Sequence, residues 1–232
     1  MSEHPDLSAL VSALGCEPAT ELLEQALTHR SYSYEHGGIP HNERLEFLGD
    51  SVLGLAVTSK LFEDHPDFDE GELARHRAAL VSTVALAEIA RGIGLGEFVR
   101  LGRGEELTGG RNKDSILADT VEALIGATYL SSGADTASAL VHRLIAPLEQ
   151  DVNRFGAATD PKTYLQELAA RLSKAVSYKV ESTGPDHAKE FTAAVFVGGE
   201  QIATGTGSSK KHAEMAAALV AWNTLTDATA NE

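Results

Sequence analysis

From Asn42 to Leu61 the chain reads NERLEFLGDSVLGLAVTSKL, and Leu45, Phe47, Leu48, Val52, Leu53, Leu55, Ala56 and Val57 cover most of a helical circumference. That pattern predicts a long helix buried on nearly all sides. Three carboxylates interrupt it. At 100° per residue, Glu43, Glu46 and Asp50 fall at about 0°, 300° and 340°, one narrow stripe. A second apolar helix is predicted from about Ile116 to Leu130, with Asp119 and Glu122 spaced i, i+3 among Ile, Leu, Ala, Val and Tyr. ELLEQALTHRSY (21–32) predicts a helix, EHGGIPH (35–41) a loop, and GELARHRAALVSTVALAEIARGIG (71–94) a helical stretch ended by Gly92 and Gly94. The Gly-rich, charged segment 101–115 reads as a loop, and a last helix is expected from about Asp135 to Gln150. No strand-period alternation occurs in this half, which predicts an all-α domain.

The pattern then changes. DVNRFGAATDP (151–161) reads as a linker, and Asp160-Pro161 supplies N-cap and N1 signals for a helix to about Ala175. Three strand-like runs follow, SYKVEST (177–183), EFTAAVFV (190–197) and EQIATGTG (200–207), the last two joined by the hairpin signal Gly198-Gly199. Ser208 or Ser209 caps a final helix, KKHAEMAAALVAWNTL. The α-β-β-β-α order places helices on one face of a small antiparallel sheet. The expected division is therefore 1–150 helical domain, 151–159 linker, 160–226 α+β domain and 227–232 frayed tail.

Composition adds little beyond a soluble globular class. No stretch approaches the roughly 18 to 20 apolar residues of a membrane span, and MSEHPDLSAL lacks the features of an export signal. The single cysteine, Cys16, cannot form an internal disulfide and fits a reducing cytosol. The net charge of −15 argues against a nucleic-acid partner until it is divided. Residues 1–150 hold 24 acids and 11 bases, net −13, whereas 160–232 hold 9 acids and 7 bases, net −2.

Carboxylates on apolar helices cost several kcal/mol each unless something cationic meets them. Neither apolar run contains a Lys or Arg, since Arg44 and Lys60 sit near the ends of the first. A hard divalent ion such as Mg²⁺ is the natural counter-charge, and one or two such ions, about 3.5 to 4 Å apart, suit phosphodiester hydrolysis. The alternative is that both stripes are simply exposed acidic faces. In the last helix, Lys210 and Lys211 occupy the first turn, where cations oppose the helix dipole. That placement suits a helix end that meets phosphates; an ordinary surface pair is the alternative. The nine histidines lack ligand spacing, and GRGEELTGG lacks the GK[ST] ending of a phosphate-binding loop. Arg100, Arg103, Arg111 and Lys113 are either phosphate contacts or solvated surface.

NERLEFLGDSVL (42–53) and ADTVEALIGA (118–127) resemble the two acidic motifs of the ribonuclease III family, and LTHRSY (27–32) and GELARHRAALVS (71–82) resemble its neighbouring segments. Residues 160–226 resemble a double-stranded-RNA-binding domain. The resemblance implies an all-α nuclease domain followed by a small α+β RNA-binding domain. It implies an endoribonuclease that processes rRNA and other transcripts in the cytoplasm, with no membrane partner. Cleavage of double-stranded RNA would use Mg²⁺, with Mn²⁺ as a substitute ion, and would leave 5′-phosphate and 3′-hydroxyl ends. By the same resemblance Glu46, Asp119 and Glu122 are metal ligands, Asp50 and Glu122 lie closest to the chemistry, and Glu43 is a supporting acid. Glu72 is either part of the RNA-facing cleft or an ordinary surface residue. A homodimer is implied, with Phe47 packing into the partner; a plain core phenylalanine is the alternative. RNA contacts fall on Thr163, Gln166, Glu167, His187, Lys210 and Lys211. Such a domain spans ~16 bp by shape. A binding protein with an inert, dimerising nuclease fold is the competing class, and it predicts loss of one of Glu46, Asp50, Asp119 and Glu122; all four are present.

Overall fold

The computed structural model describes residues 7–185 and 189–230, with side chains through Asp227. It forms two compact units, one ending at Val152 and one beginning at Asn153.

The first unit is helical: α1 (Ser8–Leu14), α2 (Thr20–Ala26), α3 (Arg30–Glu35), α4 (Glu43–Asp64), α5 (Glu70–Leu80), α6 (Thr83–Gly92), α7 (Arg103–Leu107) and α8 (Asp114–Ile145). The 21–32 stretch, read as one helix, divides into α2 and α3. At the break the backbone of Leu27 and His29 pairs with Arg100, and the buried Thr28 hydroxyl donates to Glu24 O at 2.7 Å. The 71–94 stretch likewise divides, because Ser82 turns out of the helix and its hydroxyl accepts the Ala85 N–H. Asp69 and Glu72 form a capping box on α5, which gives Glu72 a structural task. The 101–115 segment carries the short helix α7 and a 3₁₀ turn within what was expected as loop. In α8, Gly133 leaves helical geometry (φ 84°, ψ 178°), so two apolar helices meet at a kink.

α4 and α8 form the most extensive helix pair. Glycines let them approach: a Cβ on Gly49 would overlap the Glu122 carbonyl oxygen and lie 3.0 Å from Gly126 N. One on Gly126 would overlap the Leu45 carbonyl oxygen and lie 3.2 Å from Gly49 N. The face of α4 toward α8 is buried through Leu45, Leu53, Ala56, Val57 and Leu61. The expectation of burial on nearly all sides fails on the other face, where Phe47 is 79% exposed and Leu55 and Phe62 are each 69% exposed.

The second unit begins within α9 (Val152–Thr159) and continues with α10 (Pro161–Arg171), β1 (Val176–Thr183), β2 (Glu190–Val197), β3 (Glu200–Gly207) and α11 (Lys210–Ala230). The sheet is antiparallel in the order β1-β2-β3, with Gly198 and Gly199 at positive φ in the hairpin. Its buried side is closed by α10 and α11 through Leu165, Ala169, Ala193, Val195, Ala217 and Trp222. A Cβ on Gly205 would overlap the backbone of Ala217, so β3 and α11 require small residues where they meet. The segment 151–159, read as a linker, is helical instead. Ala157 is fully buried in the second unit's core and Gly156 abuts the Tyr164 ring, so small residues that read as linker composition serve close packing.

Candidate metal centre and nucleic-acid interface

The close crossing of α4 and α8 determines where the acids meet. Glu46 lies one turn before Gly49, and Asp119 and Glu122 lie on the turns of α8 before Gly126. Backbones this close bring one carboxylate oxygen from each of Glu46, Asp119 and Glu122 within 4.8 Å of one another. All three are half-buried, whereas Glu43 and Asp50 are exposed beside them.

The electrostatics are unfavourable without a counter-ion. Burial, with the charges of Asp50, Asp119 and Glu46, pushes the Glu122 carboxyl up to about 8. Glu46 is also raised, first by burial and then by Asp119, Glu43 and Asp50, with Arg30 opposing. Burial raises Asp119, partly offset by Arg30. A Mg²⁺ ion with ligands at about 2.1 Å needs its oxygens no more than about 4.2 Å apart. Small side-chain rotations therefore close the triad around one ion, and an all-oxygen anionic donor set matches a hard divalent cation.

An open depression of about 500 Å³ lies beside the triad, lined by Arg30, Asn42, Glu43, Glu46, Lys113 and Asp119 among others. Arg30 reaches Glu43 at 3.4 Å, with its side chain 72% exposed. Two basic residues considered as phosphate contacts are committed to the fold. Arg111 donates to the carbonyls of Gly96 and Val99 at 3.0 Å and to Glu106 at 2.7 Å; Lys113 pairs with Glu105 and also donates to Thr108. Arg100 faces Glu24 at 3.5 Å.

Phe47 projects from α4 into solvent, so it is no core residue. Phe47 forms part of the wall of a hollow of about 610 Å³, together with Leu22, Gln25, Leu45, Leu48, Leu130 and the charged Glu43 and Arg44.

In the second unit, Thr163 and Gln166 form an exposed stripe on α10, while Glu167 is half-buried toward a small depression containing Tyr164, Arg171 and Trp222. Lys210 and Lys211 are exposed, and Ser209 caps their helix through His212 N. Lys162 Nζ meets Glu214 Oε2 at 2.6 Å, which sets the starts of α10 and α11 side by side. His187 lies outside the described residues. Gly49 and Gly126 escaped the sequence reading, although each stands mid-helix within an acidic motif, where glycine costs about 1 kcal/mol against alanine.

Residues 19–148 match the model of a ribonuclease-III-like family and residues 161–225 that of the double-stranded RNA binding motif. The chain is 64% identical over 228 residues to Ribonuclease 3 of Leifsonia xyli subsp. xyli, covering 98% of this chain and 96% of that protein. It is 59% identical over 217 residues to Ribonuclease 3 of Streptomyces coelicolor, covering 93% and 79%. The nuclease domain of ribonuclease III from Campylobacter jejuni, described for flexibility in a region involved in dimer formation, superposes with a TM-score of 0.58 at 41% identity, covering 61% of this chain and 97% of that one. With both acidic motifs on crossing helices and the RNA-binding motif following, this chain is an endoribonuclease and belongs to the ribonuclease III family.

Proposed function

We propose that this chain hydrolyses double-stranded RNA with Mg²⁺ held by Glu46, Asp119 and Glu122, leaving 5′-phosphate and 3′-hydroxyl ends. Mn²⁺ is the alternative ion. The convergence of three carboxylate oxygens within 4.8 Å on two apolar helices carries this reading. A divalent ion bound there supplies positive charge for an incoming phosphate and acidifies an attacking water. Glu46, Asp119 and Glu122 orient the ion; Asp50, exposed at the mouth, accepts a hydrogen bond from water; Glu43 holds Arg30 at the rim. Thr163, Gln166, Glu167, His187, Lys210 and Lys211 are assigned to the duplex, and the unpaired Cys16 fits work in the cytoplasm on rRNA and other transcripts. Incubating the full chain with a long RNA duplex and Mg²⁺ should give short, end-defined products, and a chelator should stop the reaction. Intact duplex after incubation with either Mg²⁺ or Mn²⁺ would rule the reading out.

We also infer a homodimer. Phe47, 79% exposed, stands at the wall of an open hollow of about 610 Å³ that it lines with Leu22, Leu45, Leu48 and Leu130. A knob and an adjacent hollow are what a two-fold, self-complementary interface uses, and Leu55 and Phe62 extend the apolar strip. Phe47→Asp should raise the dimer dissociation constant by about 100-fold or more, as for a central aromatic anchor. Sedimentation at micromolar concentration checks this, and an unchanged dimer would remove Phe47 from the interface.

A further inference from the structure

The acidic depression carries an exposed cation at its rim. Of the basic side chains lining it, Lys113 is held by Glu105 and Thr108. Among the described residues Arg30, which opens α3, hydrogen-bonds at the site to Glu43 Oε1 alone, at 3.4 Å; its charge also reaches Glu46 and Asp119, and its side chain is 72% exposed. An exposed pair of this kind is worth under about 1 kcal/mol, so the guanidinium leaves Glu43 at little cost. The same wall contains Asn42, 2% exposed, whose Nδ2 has no hydrogen-bond partner among the described residues.

The charge balance gives the rim cation a task. Glu43, Glu46, Asp50, Asp119 and Glu122 surround the place where a polyanion must approach, and even two divalent ions leave the group net negative. A planar guanidinium at the rim is suited to that difficulty, because it binds two phosphate oxygens at once where an ammonium binds as a point charge. Resting on the nuclease reading above, we propose that Arg30 is a phosphate-binding residue of the cleavage site. On arrival of the duplex its guanidinium leaves Glu43 and takes two oxygens of a backbone phosphate on the strand being cut.

The test uses the full chain, a duplex longer than the ~16 bp spanned by the RNA-binding domain, and the variants Arg30→Met and Arg30→Lys. Arg30→Met should slow single-turnover cleavage about 10- to 100-fold. It should also make the dependence of log binding constant on log salt shallower by about one unit, as for one lost phosphate contact. Its affinity for Mn²⁺ alone should hold or rise, because a cation beside the acids has been removed. Arg30→Lys should recover the salt slope and only part of the rate. Wild-type rate and slope in Arg30→Met would overturn the inference. So would Mn²⁺ affinity falling in step with rate, which would make Arg30 a support of the metal site. A wild-type chain that cuts no duplex sinks the nuclease reading and this inference together, whereas a cutting wild type matched by Arg30→Met sinks this inference alone.

Discussion

Replacing Glu122 with Gln should abolish cleavage of duplex RNA, lowering the rate by a factor of about 10³ or more, while making the metal-free protein more stable at pH 8. Both effects have one cause. Glu122 is half-buried among Asp50, Asp119 and Glu46, and its carboxyl is pushed up to about 8. An unfolded glutamate titrates near 4.5. Between these values the folded chain holds a proton that the unfolded chain has lost. Stability of the metal-free nuclease unit therefore falls as pH rises from about 4.5 to about 8, the sense required when the native state binds more protons. After discounting for solvent screening of a half-exposed group, this amounts to about 1–2 kcal/mol. Glutamine keeps the shape and removes the titration, so the slope should flatten in the variant. Metal binding must expel that proton. Wild type should consequently gain affinity for Mg²⁺ with rising pH up to about 8 and release protons on binding. Thermal melts of both proteins from pH 5 to 8.5, with and without Mg²⁺, read all of this. Retained cleavage in Glu122→Gln, or an unchanged metal-induced rise in Tm, would remove Glu122 from the site.

Much of this site was legible in the sequence because two periodicities conflicted. An apolar helix normally carries acids only on its wet face, so Glu46 on α4 and Asp119 with Glu122 on α8 stood out by position alone. The far side of α4 departs from its apolar pattern. Phe47, Leu55 and Phe62 have the composition of a core and are exposed, because a hydrophobic pattern records that a face is to be covered and not which chain covers it. The segment 151–159 failed for a related reason. Gly156, Ala157 and Ala158 have linker composition, but Gly156 and Ala157 are small because α10 and the second core press against them. The basic residues near Asp119 were ambiguous from sequence for want of partners. Only the fold reveals that Arg111 is consumed by the carbonyls of Gly96 and Val99, leaving Arg30, from a different segment, at the rim.

The glycines were the least visible part of the site, and they support the second large effect. Gly49→Ala should lower both stability and metal affinity, although alanine favours helix by about 1 kcal/mol. The new methyl would overlap the carbonyl oxygen of Glu122, which is backbone and cannot rotate away, and would lie 3.0 Å from Gly126 N. Relief requires α4 and α8 to separate along the line that holds Glu46 against Asp119 and Glu122. Overpacking of this kind costs about 1–3 kcal/mol, or roughly 3–10 °C in Tm for a chain of this size. An ångström of separation also moves Glu46 away from Asp119 and Glu122, so that larger side-chain rotations are needed to bring the three oxygens, now within 4.8 Å of one another, around a single Mg²⁺. Cleavage should then fall more steeply than stability, by about 100-fold, as expected for a misplacement of that size. Gly126→Ala meets the Leu45 carbonyl oxygen across the same crossing and should behave alike. The double variant should cost less than the sum of the two, because the first separation already makes room for the second methyl. Melting temperature and cleavage rate measured on all three variants decide the matter: full additivity, or a Gly49→Ala protein that keeps wild-type Tm and rate, would mean that the crossing does not position the acids.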